Sequence, residues 1–211
     1  MTASTIFDLT AAMMVDGPRK RAARARNLRG ALLLGSAMLP GALATPALAS
    51  PDGAQVVAGS ATVAGEGSGH IVVTQQSDRA IIDWRSFSLK AGESARFNQP
   101  GTTSITLNRV FGGEASSILG SLTANGRVFL INPNGVLFGA GSRVDVGGLV
   151  VSTADIANDA FMAGGALRFD KPGKDGASIV NQGRISVRDS GVAAFVAPNV
   201  RNEGIVTARG G

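Results

Sequence analysis

The sequence predicts an all-β protein whose chain winds in stacked coils. Glycine accounts for 29 of the 211 residues and aromatic side chains for only 5%, which is typical of slender strands separated by many turns. Apolar triplets such as Leu149-Val150-Val151 do not alternate with polar residues, as expected of parallel strands that are covered on both faces. Two segments, 179–187 and 199–207, contain matching residues 21 positions apart, Asn181 with Asn202 and Gly183 with Gly204. This period suits one coil of a β-solenoid.

A β-sandwich with evenly spaced turns is the alternative fold, because two copies of a repeat also fit its turn spacing. No βαβ unit is predicted, since only Ser116 to Leu122 could form a helical turn. In a solenoid, Asn181 and Asn202 fall at equivalent turn positions. We therefore expect their side-chain amides to stack in a hydrogen-bonded ladder.

The first 49 residues have the pattern of a long secretory signal peptide. Basic residues from Arg19 to Arg29 precede an apolar run, 31–39, and a tract of small residues that ends in Ala47-Leu48-Ala49. This order predicts cleavage after Ala49, which leaves Ser50 as the first residue of the mature chain. Prolines and a glycine interrupt the apolar run well before the roughly 20 residues that a spanning helix needs, so we expect no membrane span.

The net charge of +5 does not predict nucleic-acid binding. Residues 1–49 hold six Lys or Arg and two Asp, whereas the rest of the chain holds fourteen Lys or Arg and thirteen Asp or Glu. The mature chain is therefore almost neutral, with dispersed basic residues and few aromatic side chains to stack on bases. The absence of cysteine fits either a chain that crosses a second membrane without cross-links or a large parallel core that needs no disulfides.

The two ends of the mature chain differ in character. The polar, glycine-rich start, Ser50 to His70, is expected to fold over the first coil as a cap, since unpaired strand edges need cover. The sequence stops at a turn, Ala208-Arg209-Gly210-Gly211, without a second cap. We expect the domain, 50–211, to continue into further coils in the native product or to be truncated here.

The sharpest predicted turn is Asn132-Pro133-Asn134-Gly135, which lies between the apolar runs 128–131 and 136–138. Proline fixes φ at the second position of a type I turn, and asparagine and glycine suit the other positions. A β-hairpin is the first interpretation of such a turn. More short strands follow at similar spacing, however, so we interpret it as a corner between two coils.

Several motifs follow one another along the mature chain. They are Ile82-Asp83-Trp84-Arg85-Ser86-Phe87, Phe97-Asn98-Gln99-Pro100, Leu107-Asn108-Arg109-Val110, Ile118-Leu119-Gly120, Asn125-Gly126-Arg127-Val128-Phe129-Leu130-Ile131-Asn132-Pro133-Asn134-Gly135 and Val151-Ser152-Thr153. In this order they resemble the amino-terminal secretion domain of filamentous haemagglutinin-type exoproteins, the two-partner secretion proteins of Gram-negative bacteria. The resemblance covers 54–211, nearly the whole mature chain.

The resemblance implies a fold and a route of export. The fold would be a right-handed, single-stranded parallel β-helix of the pectin-lyase type with an N-terminal β cap. The protein would enter the periplasm, bind the periplasmic domains of an outer-membrane barrel transporter, cross that barrel in extended form and fold outside the cell. In this scheme Asn132, Pro133, Asn134 and Gly135 form the secretion motif, with setting the turn as their direct role.

The passenger activity is not predicted by these motifs. The chain lacks the Asn-Pro-Asn-Leu motif of some family members and resembles the branch that includes high-molecular-weight adhesins and haem-haemopexin acquisition proteins. Adhesion, haemolysis, haem capture and contact-dependent toxicity can all follow such a domain. A host or bacterial surface ligand would then bind a region that lies beyond this sequence.

The sequence offers little material for catalysis. His70 is the only histidine and cysteine is absent, so we expect no His/Cys metal cluster, no cofactor and no enzyme. The enzyme alternative is a polysaccharide lyase or hydrolase, which would need clustered acids on one face of the coils. Its candidate acids are Asp145, Asp155, Asp159 and Asp170, which we interpret as solvated turn residues.

Overall fold

The computed structural model describes residues 50–188 and 191–208, so the predicted signal peptide, with Ala47 and Ala49, lies outside the described residues. Within these two ranges, one short helix and seventeen strands of three to six residues follow one another. In chain order they are β1 Gln55–Ala58, β2 Ala61–Ala64, β3 His70–Gln75, β4 Arg79–Trp84, β5 Ser94–Asn98, β6 Ile105–Val110, β7 Ser116–Ile118, β8 Ser121–Ala124, β9 Arg127–Ile131, β10 Val136–Phe138, β11 Arg143–Val146, β12 Gly148–Ser152, α1 Asn158–Ala163, β13 Ser178–Asn181, β14 Arg184–Val187, β15 Ala193–Val196, β16 Asn199–Asn202 and β17 Ile205–Ala208.

The strands stack in three parallel sheets because successive coils place equivalent strands on top of one another. The first sheet stacks β3, β5, β8, β11, β14 and β17, the second stacks β4, β6, β9, β12 and β15, and the third stacks β7, β10, β13 and β16. In the second sheet, Leu149 pairs in parallel with Val128 of the preceding coil and with Ala193 of the following coil. The predicted solenoid is therefore confirmed, and the sandwich alternative is wrong.

A ladder of amides also follows the stacking. Asn181 pairs in register with Asn202 between β13 and β16, and Asn181 Nδ2 donates to Asn202 Oδ1 at 2.8 Å. A hydrogen bond of this kind contributes about 0.5–1.5 kcal/mol. The predicted amide ladder is confirmed for this pair.

Two hydrophobic clusters lie on opposite faces of the second sheet. The inner cluster fills the coils and includes Leu149 and Val151. The outer cluster contains Phe129 and Phe161 and is covered by the segment between β12 and β13. Val150 packs against this outer cluster, which explains why the triplet 149–151 does not alternate in polarity.

The helix lies elsewhere than predicted. Ser116 to Leu122 forms β7 and the start of β8, in which Ser116, Ile118 and Leu122 are buried against the neighbouring coils. The expectation that only this segment could form a helical turn is wrong, because pairing of β7 with β10 takes up its backbone groups and the helix forms elsewhere. The helix α1 instead lies in the segment that covers the outer cluster, where it buries Phe161.

The segment Ser50 to His70 forms the predicted cap. Strand β1 pairs antiparallel with β4 and β2 pairs antiparallel with β3, so the two strands cover the first edges of the second and first sheets. Gly59 joins them at φ 76°, where a Cβ would lie 2.1 Å from the Arg79 carbonyl oxygen. Ala61 and Val63 of β2 extend the inner core beneath the cap.

No helix among the described residues is both long and apolar enough to span a bilayer.

Candidate functional site

The turn Asn132–Gly135 is a corner, because β9 before it belongs to the second sheet and β10 after it to the third. The Gly135 amide donates to the Asn132 carbonyl at 3.0 Å, which closes the turn. The Asn134 amide donates to Asn132 Oδ1 at 2.9 Å, which adds an Asx turn inside the first. The hairpin interpretation is therefore wrong and the corner is confirmed.

The asparagine side chains of the turn hold the preceding coil. Asn132 Nδ2 donates to the Glu114 carbonyl and to Ser116 Oγ, both at 3.0 Å. Asn134 Nδ2 donates to the Gly112 carbonyl at 2.8 Å. These three acceptors lie in the loop after β6 and at the start of β7, so the turn fixes the path by which that coil enters the third sheet.

The backbone of the turn holds the following coil. The Asn132 amide donates to the Ser152 carbonyl at 3.0 Å, and the Pro133 carbonyl accepts from the Lys174 amide at 2.9 Å. Gly135 has a φ of 110°, and a Cβ there would lie 2.7 Å from the Ser178 carbonyl oxygen. Glycine is needed on both grounds.

Burial leaves the turn little surface for a partner. Asn132 is fully buried, Gly135 is buried, and Pro133 and Asn134 are half-buried. The side chains of the turn donate to the chain's own backbone on one side, and its backbone bonds to the next coil on the other. This geometry makes the turn a clamp across three successive coils.

A buried asparagine links the first three coils near the cap. Asn108 Oδ1 accepts from Trp84 Nε1 at 3.0 Å, and Asn108 Nδ2 donates to the Phe129 carbonyl at 3.2 Å. Trp84 packs edge-on against Phe87 at 5.1 Å between ring centroids, and Val110 completes the same inner cluster. The predicted motif residues that stabilise the core are Trp84, Phe87, Asn108 and Val110.

Arg109 ties the covering segment to the coils. Its Nε lies 2.8 Å from Asp155 Oδ1 and its Nη1 lies 3.2 Å from Asp83 Oδ1. Its Nη2 donates to the Ile156 carbonyl at 3.0 Å and to Asn158 Oδ1 at 2.8 Å. The Arg109 side chain is 15% exposed, so the charges pair in a partly dehydrated site. Asp83 and Arg109 are thus structural members of the motif.

Comparison with known proteins places the chain in a family. The sequence model of the TPS (two-partner secretion) domain matches residues 47–210. The chain belongs to the TPS secretion domain family.

Solved and curated relatives of this TPS domain agree with that assignment. Two heme/hemopexin-binding proteins of Haemophilus influenzae are similar to it, one 37% identical over 165 residues and the other 41% identical over 102 residues. These matches cover 74% and 48% of this chain but only 18% and 11% of the relatives, so the chain spans less than a fifth of their length. The crystal structure of the HMW1 secretion domain from Haemophilus influenzae superposes with a TM-score of 0.69 at 34% identity, covering 75% of this chain and 42% of that one.

The TPS domain also contains a polar ladder that the sequence did not reveal. Asn125 pairs with the backbone of Gln99 through two hydrogen bonds of 2.7 Å, and Gln99 Oε1 accepts from the Gly126 amide at 2.9 Å. Gln99 Nε2 donates to Thr106 Oγ1 at 3.0 Å, and Thr106 donates to Gln75 Oε1 at 2.5 Å. Amides and a hydroxyl of three coils thereby satisfy one another at the corner between the first two sheets. Gln99 lies in a family motif, whereas no signal in the sequence identifies Gln75 or Thr106 as its partners.

The acids considered for an enzyme serve different elements of the TPS domain. Asp155 pairs with Arg109, whereas Asp145 is exposed on β11 and lies 3.9 Å from Arg188. Asp159 lies in the first turn of α1, and Asp170 is exposed in the covering segment. The part of the chain that the structure describes holds no group of three or more metal-binding side chains.

The histidine of the TPS domain lies at the start of β3, on the surface. His70 Nδ1 lies 3.0 Å from Ser94 Oγ on the first sheet, where His70 is exposed and Ser94 is half-buried. Among the described residues, no carboxylate hydrogen-bonds the imidazole to orient it as a general base. The pair is a surface contact between the first two coils.

Proposed function

We propose that this chain directs an exoprotein out of a Gram-negative cell through an outer-membrane barrel transporter of the two-partner class. The signal peptide, residues 1–49, directs the chain into the periplasm and is removed. The domain that remains, from Ser50 onward, binds the periplasmic domains of the transporter, crosses the barrel and folds at the cell surface or in the medium. Membership of the TPS domain family supports this route.

The proposal for how the motif acts rests on the clamp, which is formed by Asn132, Pro133, Asn134 and Gly135. Its hydrogen bonds join the coil before it to the coil after it, so the turn helps to hold these coils in register. In a solenoid each coil gains its buried surface from its neighbours. Ordered stacking outside the membrane would then favour outward movement of the chain as each coil buries apolar side chains. Secretion therefore depends on the fold that the motif establishes.

The passenger activity belongs to regions beyond this domain. The relatives are named heme/hemopexin-binding proteins, and this chain matches less than a fifth of each. We infer that ligand capture or adhesion by the full-length protein resides outside the solenoid described here, while the solenoid serves export.

The test is release to the medium from cells that also produce a candidate transporter. We expect Asn134→Ala and Gly135→Ala to reduce release, because each breaks or strains a contact of the clamp. Asn199→Ala is the matched control, since Asn199 is exposed on the third sheet and lies outside the family motifs. If both turn variants fold and are released like the parent chain, the assignment of the secretion motif is wrong. Mass spectrometry of the exported chain is expected to find Ser50 at its start.

A further inference from the structure

The start of the mature chain is fastened to the first coil. Ser50 Oγ donates to Glu93 Oε1 at 2.8 Å, and the Ser50 carbonyl accepts from Ser86 Oγ at 2.8 Å. Pro51 is buried, and Asp52 continues the contact, since its amide donates to the Ser86 carbonyl at 3.0 Å. This anchor, Ser50 to Asp52, begins at the residue that signal cleavage is predicted to expose.

Glu93 presents a charge to this anchor without a cationic side chain to balance it. Its Oε2 accepts from the Lys90 amide at 2.9 Å, and its Oε1 accepts from Ser50. In the described ranges, no Lys or Arg nitrogen lies within 4.0 Å of the carboxylate. A carboxylate has about four acceptor sites, so two donors leave it free to accept more.

We propose that Glu93 is the binding site for the α-ammonium group created at Ser50 when the signal peptide is removed, so that processing completes the anchor of the cap. Hydrolysis of the Ala49–Ser50 bond consumes one water and leaves a carboxylate on Ala49 and an ammonium on Ser50. Before cleavage, the Ser50 nitrogen is a neutral amide with one hydrogen. Afterwards it carries three donors and a positive charge, since an α-amino group has an ordinary pKa of about 8.

The geometry keeps this nitrogen within reach of the carboxylate. The backbone nitrogen of a serine lies within about 4 Å of its own Oγ, so the Ser50 nitrogen lies within about 7 Å of Glu93 Oε1. The bond from Ser86 to the Ser50 carbonyl holds the residue in place while the freed nitrogen turns toward Glu93. The inference rests on the proposed signal cleavage.

Hydrogen exchange at the anchor tests the pairing. The amides of Asp52, Arg85 and Ser86 report on it, because each donates across the contact at 2.9–3.3 Å. The chain is purified from the periplasm of cells that lack the transporter and is refolded in buffer. Half is then acetylated at its α-amine under mildly acidic conditions that leave lysine protonated. We expect acetylation to speed exchange at these three amides about two- to fivefold, because an exposed ion pair stabilises a structure by an amount in this range. The exchange rates of amides in β9 and β12 should not change.

Glu93→Gln is the matched variant, because the amide keeps the size of the side chain and an acceptor oxygen while it removes the charge. In this variant we expect acetylation to leave the exchange rate of each of the three amides unchanged. Equal rates in the parent chain, or an acetylation effect that persists in Glu93→Gln, overturn the inference. A mature terminus other than Ser50 also overturns it. Failure of release from cells despite a correct Ser50 terminus contradicts only the proposed secretion function.

Discussion

Replacing Asn132 with alanine is expected to be among the most damaging changes in the turn. The substitution removes the donor to the Glu114 carbonyl and to Ser116 Oγ, together with the acceptor for the Asn134 amide. Ser116 is buried, so leaving its hydroxyl without this partner lowers the free energy of unfolding by about 1–3 kcal/mol. Loss of the bond to the Glu114 carbonyl and loss of the bond from the Asn134 amide each lower it by about 0.5–1.5 kcal/mol. The free energy of unfolding should therefore fall by about 2–6 kcal/mol, a large share of the 5–15 kcal/mol typical of a domain.

Urea denaturation of the Asn132→Ala and parent chains measures this loss. The midpoint should fall while the dependence of the unfolding free energy on urea stays the same, since the surface exposed on unfolding does not change. Pro133→Ala is the control, because it removes no side-chain hydrogen bond and should change the unfolding free energy by about 1 kcal/mol or less. A loss under about 1 kcal/mol for Asn132→Ala, or an equal loss for Pro133→Ala, would refute the clamp.

Three further changes test other contacts of the domain. Gly135→Ala should lower the free energy of unfolding in urea by about 1–3 kcal/mol or more through backbone strain. Gly113→Ala is the control, because Gly113 has open space around it, and should change the free energy of unfolding by less than about 0.5 kcal/mol. Equal effects of the two substitutions would contradict the strain argument. Arg109→Lys should speed hydrogen exchange in the segment between β12 and β13, because an ammonium cannot reproduce the four contacts of the guanidinium, and unchanged protection there would argue against that role. A double-mutant cycle of Asn181→Ala and Asn202→Ala should give a coupling of about 0.5–1.5 kcal/mol in thermal unfolding, while strictly additive losses would show that the ladder contributes nothing.

The repeating geometry of the fold could be predicted from the sequence because it depends on residues that are close together in the chain. The turn at Asn132 and the spacing from Asn181 to Asn202 each follow from residue types that suit a corner, and the structure places them at corners and in register. The period is a property of one coil, so a few neighbouring residues are enough to show it.

The polarity of β6 shows why the rest of the core could not be predicted. Ile105 and Leu107 face outward and are buried only because a distant segment covers them, whereas Thr106 and Asn108 face inward. Alternation alone would place the apolar pair inside. The inward polar groups are satisfied by Gln99, Trp84 and other groups of neighbouring coils, which are partners that no local pattern identifies.

The helix α1 could not be predicted either, because its burial depends on residues that are distant in the chain. Its sequence, Asn158 to Ala163, is short and begins after Ala157, which provides no side-chain cap. Phe161 gains its burial from Phe129, 5.9 Å away between ring centroids, in a strand far along the chain. Tertiary packing, rather than propensity, therefore decides the conformation of this segment.

The most direct test of the central claim compares release with stability across the turn. Pro133→Ala, Asn134→Ala and Gly135→Ala would each be assayed for release through the transporter and, separately, for the free energy of unfolding in urea. If the motif acts through the fold, release should fall in the order in which the variants lose stability, and Pro133→Ala should be released like the parent chain. A variant that keeps the parent's stability but is not released would contradict the account, since it would show that the transporter binds these side chains directly.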